Sequence, residues 1–208
     1  MRRERDGAIT VLADDFSGKP LNSPNDARLG PDGLIWFTDP VFGIRLPDEG
    51  VMAEPAQSAR RVYRIAASGE VEAMTDAVGQ PNGLAFAPDG RTLYISDAGA
   101  ALNPEGARVI LVFAVGPDRR LGPARPFAEL EAGAPDGLAV DAAGRLWAAC
   151  QDGVRVYDPD GTWLGRIATP RAATNLAFGG TAGRRLFVAA GGAIHAIDIK
   201  VRGAASAG

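Results

Sequence analysis

The sequence predicts an all-β chain, a β-propeller of about four blades preceded by one further strand, on three observations. A short motif recurs four times: Ser23-Pro24-Asn25-Asp26, Gln80-Pro81-Asn82-Gly83, Ala134-Pro135-Asp136-Gly137 and, more loosely, Ala173-Thr174-Asn175-Leu176. In each copy the polar residue stands eight positions before a turn glycine: Gly33, Gly90, Gly144 and Gly183. The 27 Gly and 15 Pro fall at intervals between short apolar runs, the pattern of many short strands rather than of disorder. A step kept in four places marks a repeat architecture. Motif spacings of 57 residues (Pro24 to Pro81), 54 (Pro81 to Pro135) and 39 (Pro135 to Thr174) fit blades of four antiparallel strands. A β-sandwich would also supply short strands, but it does not require equivalent residues at equivalent offsets.

Residues 8–12, AITVL, read as a strand led in by Asp6-Gly7. The first unit pairs 26–30 with 34–38 across Pro31-Asp32-Gly33. A long loop from Asp39 to about Arg61 follows, with Pro40, Gly43, Pro47, Gly50 and Pro55 opposing regular structure, and then VYRIA and VEAMT. The second unit contains LAFA, TLYIS, a shorter loop, VILVFAV and a strand near Pro126-Phe127. The third contains LAV, LWAAC, VRVYD and WLGRIA; the fourth contains LAF, LFVAA and AIHAIDI. The chain reads as a single domain, 1–208, ending in a frayed small-residue tail at 200–208. No segment reads as a helix of useful length.

A net charge of −3 gives no electrostatic footprint for nucleic acid. No apolar run approaches membrane-spanning length, so no membrane partner is expected. The single Cys150 excludes an internal disulfide framework and a thiolate metal cluster, and reads as a small buried strand residue. MRRERDGAIT lacks the apolar segment of a signal peptide, which makes the cytoplasm the expected location.

Radial repetition would set the four motif side chains at one radius and height around an axis. Asn25, Asn82, Asp136 and Asn175 would then meet at the mouth of a central channel, under the loops that follow each second strand. Amide oxygens and a carboxylate are hard ligands that suit Ca²⁺ or Mg²⁺. Such a cation polarises a carbonyl and lowers the pKa of bound water. Asn and Asp before Gly are also common turn residues that bond their own backbone, and this reading stays open.

The stretches LNSPND, IWFTDPVFG, QPNGLAFAPDGRTLYISD, APDGLAVDAAGRLWAA, DGVRVYDPDG and NLAFGG resemble the senescence-marker-protein/gluconolactonase/luciferin-regenerating-enzyme family of six-bladed propellers. They run in family order from about residue 20 to 200. The resemblance implies hydrolysis of a sugar lactone with a divalent cation, Ca²⁺ first and Mg²⁺, Mn²⁺ or Zn²⁺ as alternatives. It implies Asn82 and Asp136 as metal ligands, Asn25 on metal or substrate, and Asp136 as general base. Asn175 would stand one shell further out. Asp39 and Phe42 would line the substrate pocket or anchor their loop. The family's first-blade glutamate, in a Glu-Gly-Pro-x-Trp setting, has no counterpart here, and Glu4 lies in a charged run without that context. The chain therefore reads as a family member lacking its N-terminal blades, weak in metal binding and in turnover.

Two other readings compete with the enzyme. One is a non-catalytic propeller acting as a binding module, which alanine at Asn82 and Asp136 would separate from a lactonase. The other is serine-type esterase chemistry, which needs a histidine base. The sole histidine, His195, lies on the strand AIHAIDI away from the motifs.

Overall fold

Each apolar run bounded by a glycine turn becomes a strand, and the strands sort into sheets one motif at a time. The structure is a computed structural model describing residues 1–204. Two terminal hairpins come first: β1 (Arg2–Arg3) with β2 (Ile9–Thr10), and β3 (Asp15–Phe16) with β4 (Lys19–Pro20). The first blade is β5 (Ala27–Leu29), β6 (Ile35–Asp39), β7 (Arg61–Ile65) and β8 (Val71–Thr75). The second is β9 (Pro81–Phe86), β10 (Thr92–Asp97), β11 (Val109–Ala114) and β12 (Arg125–Glu129). The third is β13 (Leu138–Val140), β14 (Leu146–Cys150), β15 (Gly153–Tyr157) and β16 (Trp163–Ile167). The fourth has three strands: β17 (Ala173–Gly179), β18 (Arg185–Ala190) and β19 (Ala193–Asp198). All pairings are antiparallel between sequence neighbours, and the chain is an all-β propeller with four blades.

The eight-residue step has a backbone cause. Gly33, Gly90, Gly144 and Gly183 all lie at positive φ, +73°, +63°, +83° and +63°, closing the turn between the first two strands of each blade. A side chain at that dihedral is strained, so glycine marks each turn.

The core sits between blades and repeats with them. Trp36 on β6 meets Phe86 on β9 edge-on, with ring centroids 5.3 Å apart. Trp147 on β14 meets Phe178 on β17 in the same way at 5.4 Å. Between the second and third blades, Tyr94 packs in one cluster with Leu138, Val140 and Leu146. One aromatic on each second strand thus seals the next blade's first strand, and the three clusters are the three blade junctions.

Several expectations are corrected. Only Ile9 and Thr10 of AITVL are strand, and they pair with Arg2 and Arg3 rather than with a further blade. The turn at Glu4–Ala8, with Gly7 at φ +90°, makes the local hairpin. The long loop contains one short helix, α1 (Phe42–Arg45), and is tied back by Gln57, whose side-chain amide donates to the carbonyls of Phe16, Lys19 and Pro20. The start of the expected frayed tail is bonded: Ala142 N–H donates to Arg202 and Ala204 N–H to Val140, which straps the tail to the third blade. Residues 205–208 of that tail lie outside the described residues. No helix among the described residues is long and apolar enough to cross a membrane.

Candidate functional site

Hydroxyl groups join the motifs of neighbouring blades. On β6, the Thr38 hydroxyl accepts from Asp26 N–H at 3.1 Å and donates to the Asn82 carbonyl at 2.7 Å. On β10, Ser96 occupies the same register, accepting from Gly83 N–H at 2.7 Å and donating to the Asp136 carbonyl at 2.8 Å. The third blade has Ala149 there, and backbone takes over: Gly137 N–H donates to Thr174 at 3.0 Å. Thr38→Val should therefore leave two buried polar groups short of a partner. The expected loss is about 2–3 kcal/mol, seen as a lower urea midpoint at unchanged m-value.

The glycines of the motifs follow from this closeness. A Cβ at Gly83 would lie 2.3 Å from the Asp136 carbonyl oxygen, and one at Gly137 would lie 2.5 Å from Asn175 Oδ1. The second, third and fourth motifs are thus in backbone contact in turn. The first joins them through Thr38.

Within this ring Asn82 is buried, and its Oδ1 has no hydrogen-bond partner. Asp136 is half-buried. Burial pushes its carboxyl up to about 7, with the charges of Asp26 and Glu49 adding to the rise and the Asn82 amide opposing it. Asn25 is exposed at the rim, its N–H held by the Thr38 carbonyl at 2.9 Å. Asn175 is half-buried and turns its Oδ1 to the Leu176 N–H at 2.8 Å.

Asp39 and Phe42 lie deeper. Both oxygens of the fully buried Asp39 are engaged, accepting from Asn22 N–H at 2.9 Å and Ser23 N–H at 2.8 Å. Burial pushes its carboxyl up to about 6. Asp97 does the same in the second blade, accepting from Gly79 and Gln80. Phe42 on α1 is buried. Cys150 is buried on β14, where burial pushes its thiol up to about 12. His195 stands opposite Val188 in the fourth blade.

Sequence reasoning passed over Asp26. Its side chain is buried, its Oδ1 accepts from Ala27 N–H at 2.8 Å and from Arg28 at 3.2 Å, and its Oδ2 has no partner. Burial raises its pKa, opposed by the Arg28 charge. Arg28 also donates across the channel to the Leu138 carbonyl at 3.1 Å, tying the first blade to the third. The signal was in the motifs: Asp26 stands where the second and third copies have glycine.

Among the described residues no three His, Cys, Asp or Glu side chains cluster as a ready-made metal centre. The oxygens present still suit a hard divalent cation. Asn82 Oδ1 and Asp26 Oδ2 are buried acceptors without donors, and Asp136 adds a carboxylate whose charge the surroundings disfavour. Buried unpaired acceptors are uncommon, which is what makes these two informative.

The model of the SMP-30/Gluconolactonase/LRE-like region matches residues 1–192. A gluconolactonase of Zymomonas mobilis is 31% identical over 194 residues, covering 87% of this chain and 51% of its own. A pentonolactonase of Haloferax volcanii is 35% identical over 201 residues, covering 92% of this chain and 62% of its own. Among solved structures, a gluconolactonase of Xanthomonas campestris superposes with a TM-score of 0.86 at 41% identity, covering 95% of this chain and 64% of its own. A calcium-binding regucalcin of Agrobacterium tumefaciens gives a TM-score of 0.74 at 25% identity, covering 96% and 69%. The chain spans about half the length of the curated relatives it matches.

Proposed function

The chain belongs to the SMP-30/gluconolactonase/LRE-like family, and from that membership we propose hydrolysis of a sugar lactone, assisted by a divalent cation, as its reaction. The observation that carries the proposal is the bare, buried Asn82 Oδ1 beside the Asp136 carboxylate. Asn82 and Asp136, with Asn25 at the rim, would hold the cation, which when bound supplies Lewis-acid polarisation of the lactone carbonyl. Ca²⁺ is the first choice, because the donors are oxygens and a related regucalcin is a calcium-binding protein.

Asp136 takes a proton from the water that attacks the carbonyl carbon. The ring C–O bond then breaks, and a proton goes to the departing ring oxygen to give the open hydroxy acid. In the cation-free chain burial pushes this carboxyl up to about 7, and a bound cation would draw it back down and keep it the carboxylate that accepts the proton. Asn25, exposed at the mouth, orients the substrate. Asn175 presses on Gly137 and so fixes the peptide that carries Asp136. Asp39 holds the backbone of Asn22 and Ser23 just ahead of Asn25, and Phe42 packs the loop that walls the pocket.

Hydrolysis of glucono-1,5-lactone, followed with a pH indicator above the spontaneous rate, tests the reading. Added Ca²⁺, Mg²⁺ or Mn²⁺ should raise the rate and EDTA should remove it. Asn82→Ala should cut it about tenfold or more with an unchanged circular dichroism spectrum. A rate indifferent to both EDTA and Asn82→Ala would sink the proposal.

A further inference from the structure

Where the second and third motifs end in glycine the first has Asp26, and the difference adds a carboxylate to the motif ring. Thr38 treats Asp26 and Asn82 as Ser96 treats Gly83 and Asp136, so Asp26 is the register equivalent of Gly83. At Gly83 the side-chain direction runs straight at the following motif, where a Cβ would be 2.3 Å from the Asp136 carbonyl oxygen. Asp26 faces the second blade likewise, since its carboxylate feels the Leu84 N–H of β9, two residues past Asn82.

The Asp26 carboxylate is held at Oδ1, and the Leu84 N–H of β9 draws on the group as well. Its Oδ1 is held by Ala27 N–H at 2.8 Å and by Arg28 at 3.2 Å, and Arg28 is itself moored to the Leu138 carbonyl. That leaves Oδ2 bare, on a residue only 9% exposed. One motif on, Asn82 Oδ1 is equally bare, on a residue 8% exposed. With Asp26 in its carboxylate form, two buried acceptors on adjacent motifs have no proton to share between them. A cation satisfies both.

From this juxtaposition we infer that Asp26 supplies the second carboxylate of the cation site, alongside Asn82 and Asp136, with Arg28 as the residue that aims it. The inference rests on the cation-assisted reading above and adds a ligand to it. It also puts a second acidic donor in the motif ring itself. Glu49, whose charge also reaches Asp136, is exposed on the loop and belongs to the surroundings rather than to the ligand set.

Calorimetric titration of the 208-residue chain with CaCl₂ tests it, with the Ca²⁺-induced rise in melting temperature as a second readout. Asp26→Asn, isosteric and uncharged, should weaken Ca²⁺ binding at least tenfold, and Asp26→Glu should change it at least threefold. Glu49→Gln should stay within threefold of wild type. Should Asp26→Asn not fold, the Asp26→Glu titration decides alone. Wild-type affinity in the Asp26 variants, with binding lost in Asn82→Ala, overturns the Asp26 assignment and leaves the lactonase reading standing. No saturable Ca²⁺, Mg²⁺ or Mn²⁺ binding by wild type overturns both. Binding that falls as expected in the Asp26 variants, together with a wild type unable to open any lactone, keeps Asp26 and overturns the lactonase reading.

Discussion

Asp136→Asn is expected to raise the melting temperature of the cation-free chain at pH 8 by about 2–8 °C, while cutting lactone hydrolysis at least about a hundredfold. The two effects have one origin. Burial, with the charges of Asp26 and Glu49, pushes the folded-state carboxyl up from 3.8 to about 7. The folded state therefore binds this proton more tightly than the unfolded chain does. The resulting stability is fully present below about pH 4, where both states are protonated. It is lost as the pH rises through about 7. A shift of that size sets a ceiling near 4 kcal/mol, and the solvent that reaches this half-buried group cuts the loss to about 1–2 kcal/mol. Asparagine keeps the shape and removes the charge, so it recovers that loss above pH 7 and changes little at pH 4. Melting curves of both proteins at pH 4, 6 and 8 give the check: a gap that widens with pH supports a strained carboxylate. A gap equal at every pH, or an Asn variant less stable at pH 8, would show that Asp136 is an ordinary turn residue. Saturating Ca²⁺ should reverse the order by stabilising only the wild type.

The parts of this site that sequence could reach were those in which backbone geometry dictates residue type. The turn glycines at 33, 90, 144 and 183 all lie at positive φ, so their constant eight-residue offset from each motif's polar residue reported the blade turns directly. The placement of Asn82, Asp136 and Asn175 on neighbouring motifs followed from the same step. Asp39 was ambiguous in sequence because an acid after a strand can face a ligand or its own backbone. The structure shows both its oxygens on backbone N–H groups, and Asp97 repeats the arrangement. The repeated Thr-Asp and Ser-Asp pairs at 38–39 and 96–97 were the available sign of that role. Asp26 escaped because its importance is relational. Only the pairing of Thr38 with Ser96 shows that it occupies the place of Gly83. Only Ile9 and Thr10 of AITVL are strand, because the Glu4–Ala8 turn folds them back onto Arg2 and Arg3.

Gly83→Ala should destabilise the fold by about 3 kcal/mol or more, a large effect for one added methyl group. The added carbon would meet the Asp136 carbonyl oxygen at 2.3 Å, Gly137 Cα at 2.8 Å and the Leu138 nitrogen at 2.9 Å. All three are backbone atoms of the third motif and the strand it leads into, so no side chain can swing aside. The third blade must retreat instead, and the Ser96 hydroxyl loses its grip on the Asp136 carbonyl as it does so. The cluster around Tyr94, Leu138 and Leu146 opens along the same seam. Backbone strain plays no part, since Gly83 does not lie at positive φ; the cost is the contact alone. Gly33→Ala offers the contrast: nothing lies within 4 Å of a Cβ there, and its penalty comes only from a φ of +73°. That penalty is about 1–2 kcal/mol. Urea unfolding of the two variants separates the mechanisms. Gly83→Ala should lose more stability and also weaken cation binding, whereas Gly33→Ala should lose less and bind as wild type does. Equal stability losses with unaltered binding in both would mean that the second and third motifs do not depend on touching. The ring of oxygens would then have no mechanical basis, because their spacing is set where one blade's glycine meets the next blade's peptide.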